Sequence, residues 1–494
     1  MINNFTFNGI QKDYVAYKDY TSHWSQERDV AVKEVKGRTV SLLDDISIKP
    51  RTIEVELDVN YRESPFTREE VIDDINAWLV TDEPKPINFA REPNKLYYGM
   101  ITGAIEPTDF VGFSSLKVTF ICLDPYKYSV KQYKNTAISD SISLQNAGTA
   151  PTYPIIQARA LKDSTSFLIS KNDEDYFMVG QSMDAFKKSI NKNPRLFYTT
   201  FDNVAGWQYV ANGTNIQASD ASGTASGKFK LATGTANKPY AIMPDDYGER
   251  ATSGWHGPTM KRSLPRSVDN FNVRIELKMW SRREGVGKGY MFLYDERGNI
   301  FAAIGLLDAK NSKTFVRAHF ILFNEYGDRW EWYDNAWNWA YDNALVNLEI
   351  RRRDNHWRIK TWHYTEDEKT KKKYLTSRMT KFFNDKAQKY TQRLAQVGVS
   401  TMKHSSYNPL PVYFNTMIVN EELPDTDDIP LLIKEGDDIH IDMKENLVMI
   451  NNEPVLEEKD FGSDFFEVSK GFTEMFISPT NTFDTSAYWQ DRYL

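Results

Sequence analysis

Residues 129–200 and residues 425–494 each hold too few strand-like segments to close a β-sandwich alone, and this shortage constrains the chain more than any motif in it. The first piece is cut by Pro151, Pro154 and Pro194, and its stretch FLISKNDEDYFMVG reads as a hairpin around Asn172 and Asp173. The second carries DDIHIDMKENLVMINNEPV, short alternating runs with turns near Lys444 to Asn446 and Asn451 to Glu453. The economical solution is that the two pieces complete one another and that residues 201–424 are inserted into a loop of the domain they form. Such an insertion is thermodynamically mild when its ends lie close together.

Ahead of them, residues 1–128 read as strands with one helix. In TREEVIDDINAWLV, Thr67 caps the helix with Glu70 three positions on, and Val71, Ile72, Ile75, Trp78 and Leu79 fall on one stripe. RTIEVELDVNY alternates Ile53, Val55, Leu57 and Val59 with polar partners, and LKVTFICLD repeats the pattern, so the helix should pack on a β-sandwich. The length of 494 residues gives about three domains.

Composition removes several function classes. The formal net charge of −7 argues against a nucleic-acid partner, and the basic runs at 351–353 and 369–373 read as solvated hairpin ends. A single cysteine, Cys122, rules out an intramolecular disulfide framework and sits in a strand-like run as a buried thiol. No apolar run reaches about 18 residues, so no membrane span is expected. The start MINNFTFNGI lacks the regions of a signal peptide, so synthesis in a cytoplasm is expected.

The segment 201–422 differs in character. It opens on a stretch rich in Gly, Ser, Thr and Asn, and nine of the chain's 12 tryptophans lie within it. Turns at YDERGN, YDNA and RRDNHW separate its strands, which predicts a second all-β unit of jelly-roll type. Four indoles crowd into RWEWYDNAWNWAY at 329–341. If Asp334 and Asn335 are hairpin turn residues, Trp332 faces Trp337 and Trp330 faces Trp339, with all four indoles on one face. Arg329, Glu331, Tyr333, Ala336 and Asn338 then occupy the other. Such a sheet of indoles serves equally as sandwich core or as a rigid stacking platform for sugars, and the residues alone leave both readings open.

Catalysis finds little support. No two of the seven histidines share the spacing of a helical metal site, and GVGKG at 285–289 reads as a turn between strands. There is no Gly-x-Ser-x-Gly elbow and no Glu-x-Asp-x-x-Glu strand. No enzyme activity, cofactor or metal is expected.

FTFNGI at the start, RTIEVELDV leading into the helix, and FICLDPYKYS closing the first sandwich resemble the distal tail proteins of siphophages that infect Gram-positive bacteria. IKEGDDIHIDMKENLVMINNEPV followed by SDFFEVSKGFTEMFISPT is similar to that family's closing strands. The resemblance covers about 1–200 and 425–494. It implies a mainly β fold, with an N-terminal β-sandwich carrying one helix and a galectin-like β-sandwich interrupted by an inserted jelly-roll, lectin-like β-sandwich. Residues 1–128 would form a homo-hexamer ring, and residues 129–200 with 425–494 the galectin-like domain. The expected partners are the tail tube protein, the tape measure protein and the tail-associated adhesin, in a virion tail tip or baseplate assembled in the host cytoplasm. Large members carry inserted carbohydrate-binding modules, which favours the platform reading. The candidate glycan-binding residues are then Trp330, Trp332, Trp337, Trp339, Trp357 and Arg329, contacting host cell-wall polysaccharide or teichoic acid. Two alternatives are a purely structural hub whose insertion docks another receptor-binding protein, and a stand-alone cell-wall lectin or hydrolase.

Overall fold

The computed structural model describes residues 5–494 apart from 23–24, 34–41, 65, 173, 183–188, 234–239, 250–253, 281–283, 335–340, 342, 368 and 425–427. Strands dominate the described residues, whose one α-helix is Arg68–Leu79. The chain divides into two compact units, Met1–Gln181 with Ile433–Leu494, and Ser182–Leu432. The inserted unit therefore begins earlier and ends later than residues 201 and 424. Pairing explains the difference: Arg195–Thr199 lies antiparallel to Val412–Glu421, and Ser189–Ile190 lies parallel to Ile429–Pro430. Leu431 N–H donates to the Ile190 carbonyl (2.9 Å) and Leu423 N–H to that of Lys192 (2.8 Å), so entry and exit strands run side by side.

In the first unit, strand Arg51–Asn60 turns Ile53, Val55, Leu57 and Val59 inward and pairs with Phe113–Cys122 along its whole length. The helix covers this layer. Thr67 and Glu70 form a reciprocal capping box, and Val71, Ile75, Trp78 and Leu79 are buried. The Trp78 indole N–H reaches the Phe7 carbonyl at 3.1 Å. Ile72, expected on that stripe, is 45% exposed, because one residue's rotation from Val71 carries it off the packed line. Burial pushes the Cys122 thiol up to about 12, which keeps it protonated and structural. Beside this sheet, Arg28–Lys33 and Leu42–Ile48 form a separate two-stranded ribbon. Its residues Val30, Val32, Leu43, Ile46 and Ile48 are 36–61% exposed.

The rest of the first unit is built by pairing across the chain. Ile155–Ala160 lies between Asp438–Asp442 and Phe483–Trp489, and Ser141–Asn146 pairs with Gly471–Ser478. The resulting six-stranded and four-stranded sheets meet where Phe167 packs edge-on against Phe483 at 4.9 Å. Asp124, from the DPY stretch, accepts from Lys444 Nζ, from Arg492 Nη2 (3.2 Å) and from Tyr128 Oη (2.5 Å). The Pro125 carbonyl accepts from Arg51 Nε at 2.9 Å. Burial opposes the charge on Asp124, but Lys444 and Arg492 outweigh it and hold the carboxyl at about 2.

The second unit is a β-sandwich of an eight-stranded and a ten-stranded sheet. Val273, Ile275 and Leu277 from one sheet interleave with Met291, Leu293, Ile304, Leu306 and Val399 from the other. Each such fully buried side chain contributes roughly 1.5–3 kcal/mol. The ten-stranded sheet is packed on its outer side as well. There Tyr290, Phe292, Tyr294, Ala303 and Ile321 lie beneath Ile216, Ala218, Ala221 and Ala225. A side chain has no room at Gly223 in this cover, since a Cβ there would lie 2.9 Å from the Trp255 carbonyl oxygen. A polar layer anchors it: Ser219 Oγ donates to Glu331 (2.8 Å), Glu331 pairs with His319 Nε2 (2.8 Å), and Lys288 Nζ donates to the carbonyls of Asp220 (2.8 Å) and Ser222.

Replacing Asp124→Asn is expected to cost the first unit about 3 kcal/mol, because Lys444 and Arg492 are left without their carboxylate. The stabilisation from a depressed carboxyl is present above its unfolded value of 3.8 and is lost as pH falls towards about 2. Urea titrations below pH 4 are therefore expected to show a steeper loss in the wild type than in Asp124→Asn.

Candidate functional site

The outer side of the eight-stranded sheet gathers polar chemistry on its central strands Phe271–Met279, Leu345–Arg353 and His356–Glu366. Strand periodicity sends Val273, Ile275, Leu348 and Ile359 into the core and their neighbours outward. Pairing then sets Glu276, Asn347 and Trp362 in one row and Arg274, Glu349 and Lys360 in the next. Register shifts at Glu276/Leu277 and at His363/Tyr364 bend this part of the sheet.

These six side chains form a closely packed floor, and each is buried. Tyr364 Oη (3.1 Å) and Asn347 Nδ2 (3.3 Å) both donate to Glu276 Oε2. Arg358 donates to Glu349 Oε1 through Nη2 (2.8 Å) and Nε (3.2 Å). Burial alone would raise the Glu349 pKa, but Arg358, Lys360 and Arg274 prevail and keep it below the usual carboxylate range. The Arg274 guanidinium lies 5.9 Å from the Trp362 ring centroid. Glu349 Oε2 and Asn347 Oδ1 are buried with no hydrogen-bond partner among the described residues. At one end of the floor, Lys278 Nζ sits 4.2 Å from the centroid of Trp280, which is 38% exposed and meets Tyr413 edge-on at 6.1 Å. The floor itself is buried, so this face presents its rim outward, where Trp280 is exposed and Tyr413 half-buried; an exposed ring of this kind suits the C–H face of a saccharide.

Of the tryptophan stretch, Trp330 and Trp332 lie in a described strand. Arg329–Asp334 pairs with the preceding strand Arg317–Phe323, and Asp334 is a buried strand residue that accepts from Tyr341 and from Thr361 Oγ1 (2.9 Å). Trp330 stacks on Phe383 (4.7 Å) and meets Phe320 edge-on (5.4 Å), and Trp332 packs against the same core. Trp357 is corrected outright: it is 1% exposed in the core and has no surface to offer a ligand. It lies five residues from Trp362, an odd spacing that puts the two indoles on opposite faces of their strand. Arg329 is exposed on the rim of the ten-stranded sheet. Trp337 and Trp339, with the expected turn residue Asn335, lie outside the described residues. Sequence reasoning missed Glu276, Asn347, Glu349 and Trp362. The available signal was the alternation of charged with apolar residues in RIELK, NLEIR and WRIKTW, which become neighbours only through pairing.

Comparison with known proteins defines the class. The phage tail protein RIFT-related domain matches residues 16–122, and the C-terminal domain of the siphovirus-type tail component matches residues 428–493. The chain therefore carries siphovirus tail-component domains in two flanking segments and is similar to distal tail proteins. The distal tail protein of Bacillus phage SPP1 is 27% identical over 151 residues, 28% of this chain and 59% of that protein. Its crystal structure, described as a paradigm of the hub adsorption apparatus in phages infecting Gram-positive hosts, aligns at 21% identity with a TM-score of 0.32, over 37% of this chain and 76% of that one. The CBM2 module of the evolved distal tail protein of Lactobacillus casei BL23 phage J-1 aligns at 14% identity and a TM-score of 0.38, over 48% of this chain and 100% of that one. A Bacillus licheniformis β-glucanase aligns at 13% identity and a TM-score of 0.29, over 45% and 96%.

Trp357→Ala is expected to destabilise the inserted unit by about 3–5 kcal/mol in chemical denaturation, as a large-to-small core change does. Trp280→Ala, at the rim, should shift the same transition by less than about 1 kcal/mol.

Proposed function

We propose that this protein is the hub at the distal end of a siphophage tail and that its inserted unit binds a host cell-wall glycan. The observation that carries the proposal is the separation of the chain into two units. The segments matching tail-protein domains fold together apart from residues 428–432, while Ser182–Leu432 folds around its own core with adjacent ends. A tail scaffold can carry such a module without losing any of its own pairing.

Residues 1–128 supply the ring, a homo-hexamer that joins the tail tube and tape measure proteins to the tail-associated adhesin. The exposed apolar ribbon Arg28–Lys33 with Leu42–Ile48 is the surface a second copy covers, since its cross-strand apolar pairs, Val30 with Ile46 and Val32 with Leu43, remain 45–61% exposed. Several glycan sites on one ring gain about 10²–10⁴ in avidity when the wall polymer engages them together. Individually weak sites then suffice for polysaccharide or teichoic acid.

Binding without turnover is the reading the outer face supports. The carboxylates of its floor, Glu276 and Glu349, are buried and already engaged, by Tyr364 and Asn347 and by Arg358, so neither stands at the surface to serve a glycosidic bond as general acid. Incubating the full-length protein with host wall material should release no reducing ends.

Two experiments test the proposal. Val32→Asp with Leu43→Asp should reduce the full-length protein to monomers in light scattering, and a persisting ring would remove the ribbon from the interface. Trp280→Ala with Tyr413→Ala should weaken binding of labelled protein to host cells about tenfold or more, with an unchanged thermal midpoint. Undiminished binding would place the glycan elsewhere.

A further inference from the structure

A second cluster, on the ten-stranded sheet, is not used by the site above. Ile300–Asp308 and Arg317–Phe323 are joined by a loop in which Phe315 draws three cations onto one ring: Lys310 Nζ at 4.1 Å, Arg317 Cζ at 5.1 Å and Lys313 Nζ at 5.6 Å from its centroid. Three positive charges at one aromatic ring repel each other, so the arrangement gains from any anion that settles between them. The carboxylate inside the loop is already engaged. Buried Asp308 accepts the backbone N–H groups of Lys310 (3.0 Å) and Phe315 (2.8 Å), one on each oxygen, and thereby shapes the loop.

Arg317 supplies the second observation. Its guanidinium lies 4.8 Å from the Tyr333 centroid, and Tyr333 stacks on His319 at 4.4 Å, so the side chain is pinned between two aromatic rings. Its Nε is buried without a hydrogen-bond partner among the described residues. The nearest acids beyond Tyr333 are occupied: Asp220 Oδ2 accepts from Tyr333 (2.8 Å), and Glu331 accepts from Ser219 and pairs with His319. A polar cleft of about 340 Å³ includes Asn311 of the same loop and is otherwise lined by Ser405, Ser406, Tyr407, Asn408 and Glu284. The cleft gives a bound chain room to continue past the cations, and Glu284 is its one acidic wall.

We propose that Lys310, Lys313 and Arg317 form a binding site for an anionic group, a phosphodiester or a carboxylate, borne on a cell-wall polymer. The site lies on the sheet opposite to the glycan face proposed above and rests on that reading only for the source of its ligand. Arg317, fixed between Phe315 and Tyr333, directs the N–H fork at the anion, while the two lysines close over it from solvent.

The test uses the full-length protein and three purified polymers: poly(glycerol phosphate) teichoic acid, polygalacturonate and neutral dextran. Binding is measured by calorimetry at low and high salt for the wild type, for the exposed-lysine variant Lys310→Gln with Lys313→Gln, and for Arg317→Gln. One of the charged polymers should bind the wild type in a salt-dependent manner, and each variant should weaken it about tenfold or more at an unchanged thermal midpoint. Whether the teichoic acid or the polygalacturonate is bound identifies the anion as phosphodiester or carboxylate. Equal binding of a charged polymer by the wild type and the lysine variant would overturn the anion site. Binding of dextran alone would overturn the anion site and leave the glycan reading standing. Failure of the wild type to bind any of the three overturns the anion site, and failure to bind intact host walls as well removes the glycan reading.

Discussion

The short strand Ile155–Ala160 is the constraint on which the first unit depends. Its hydrogen bonds on both sides go to segments near the C-terminus, with Ile156 opposite Ile441 on one side and Ala487 on the other. Such pairing is entropically expensive to reach, because the intervening chain must be ordered or looped out before the contact forms. An insertion that folds by itself lowers that cost, since a compact domain with adjacent ends closes the gap as a short loop would. The side-by-side strands Ser189–Ile190 and Ile429–Pro430 are the physical form of this closure.

The same logic explains why Asp124 matters. It stands at the end of the first sandwich and binds Lys444 and Arg492, which belong to the returning C-terminal segment. The carboxylate thus ties the segment before the insertion to the segment after it, and the buried charge is tolerated because two cations and the Tyr128 hydroxyl share it.

Much of this was legible in the sequence. The capping box at Thr67 and Glu70, the alternation in RTIEVELDVNY and the incompleteness of the two flanking pieces are local or countable signals, and each reports its physics directly. The insertion boundary was not legible. Arg195–Thr199 looks like any short strand, and only its pairing with Val412–Glu421 assigns it to the inserted unit. The candidate site was legible only in part, for a related reason. Four indoles in one stretch draw the eye, yet Trp330 stacks on Phe383 from the opposing sheet, and the polar outer face of the eight-stranded sheet is assembled from residues on three other strands. A strand's two faces are plain in sequence, but which face meets a second sheet is a tertiary fact.

A ring-forming tail scaffold and a glycan-binding face on the unit inserted into it are the two proposals that stand together. Electron cryo-microscopy of the full-length protein mixed with oligosaccharides released from the host wall addresses both at once. The account expects ring-shaped particles with saccharide density over the outer side of the eight-stranded sheet, between Trp280 and Arg358. Particles that stay monomeric, or density confined to other surfaces, would contradict it.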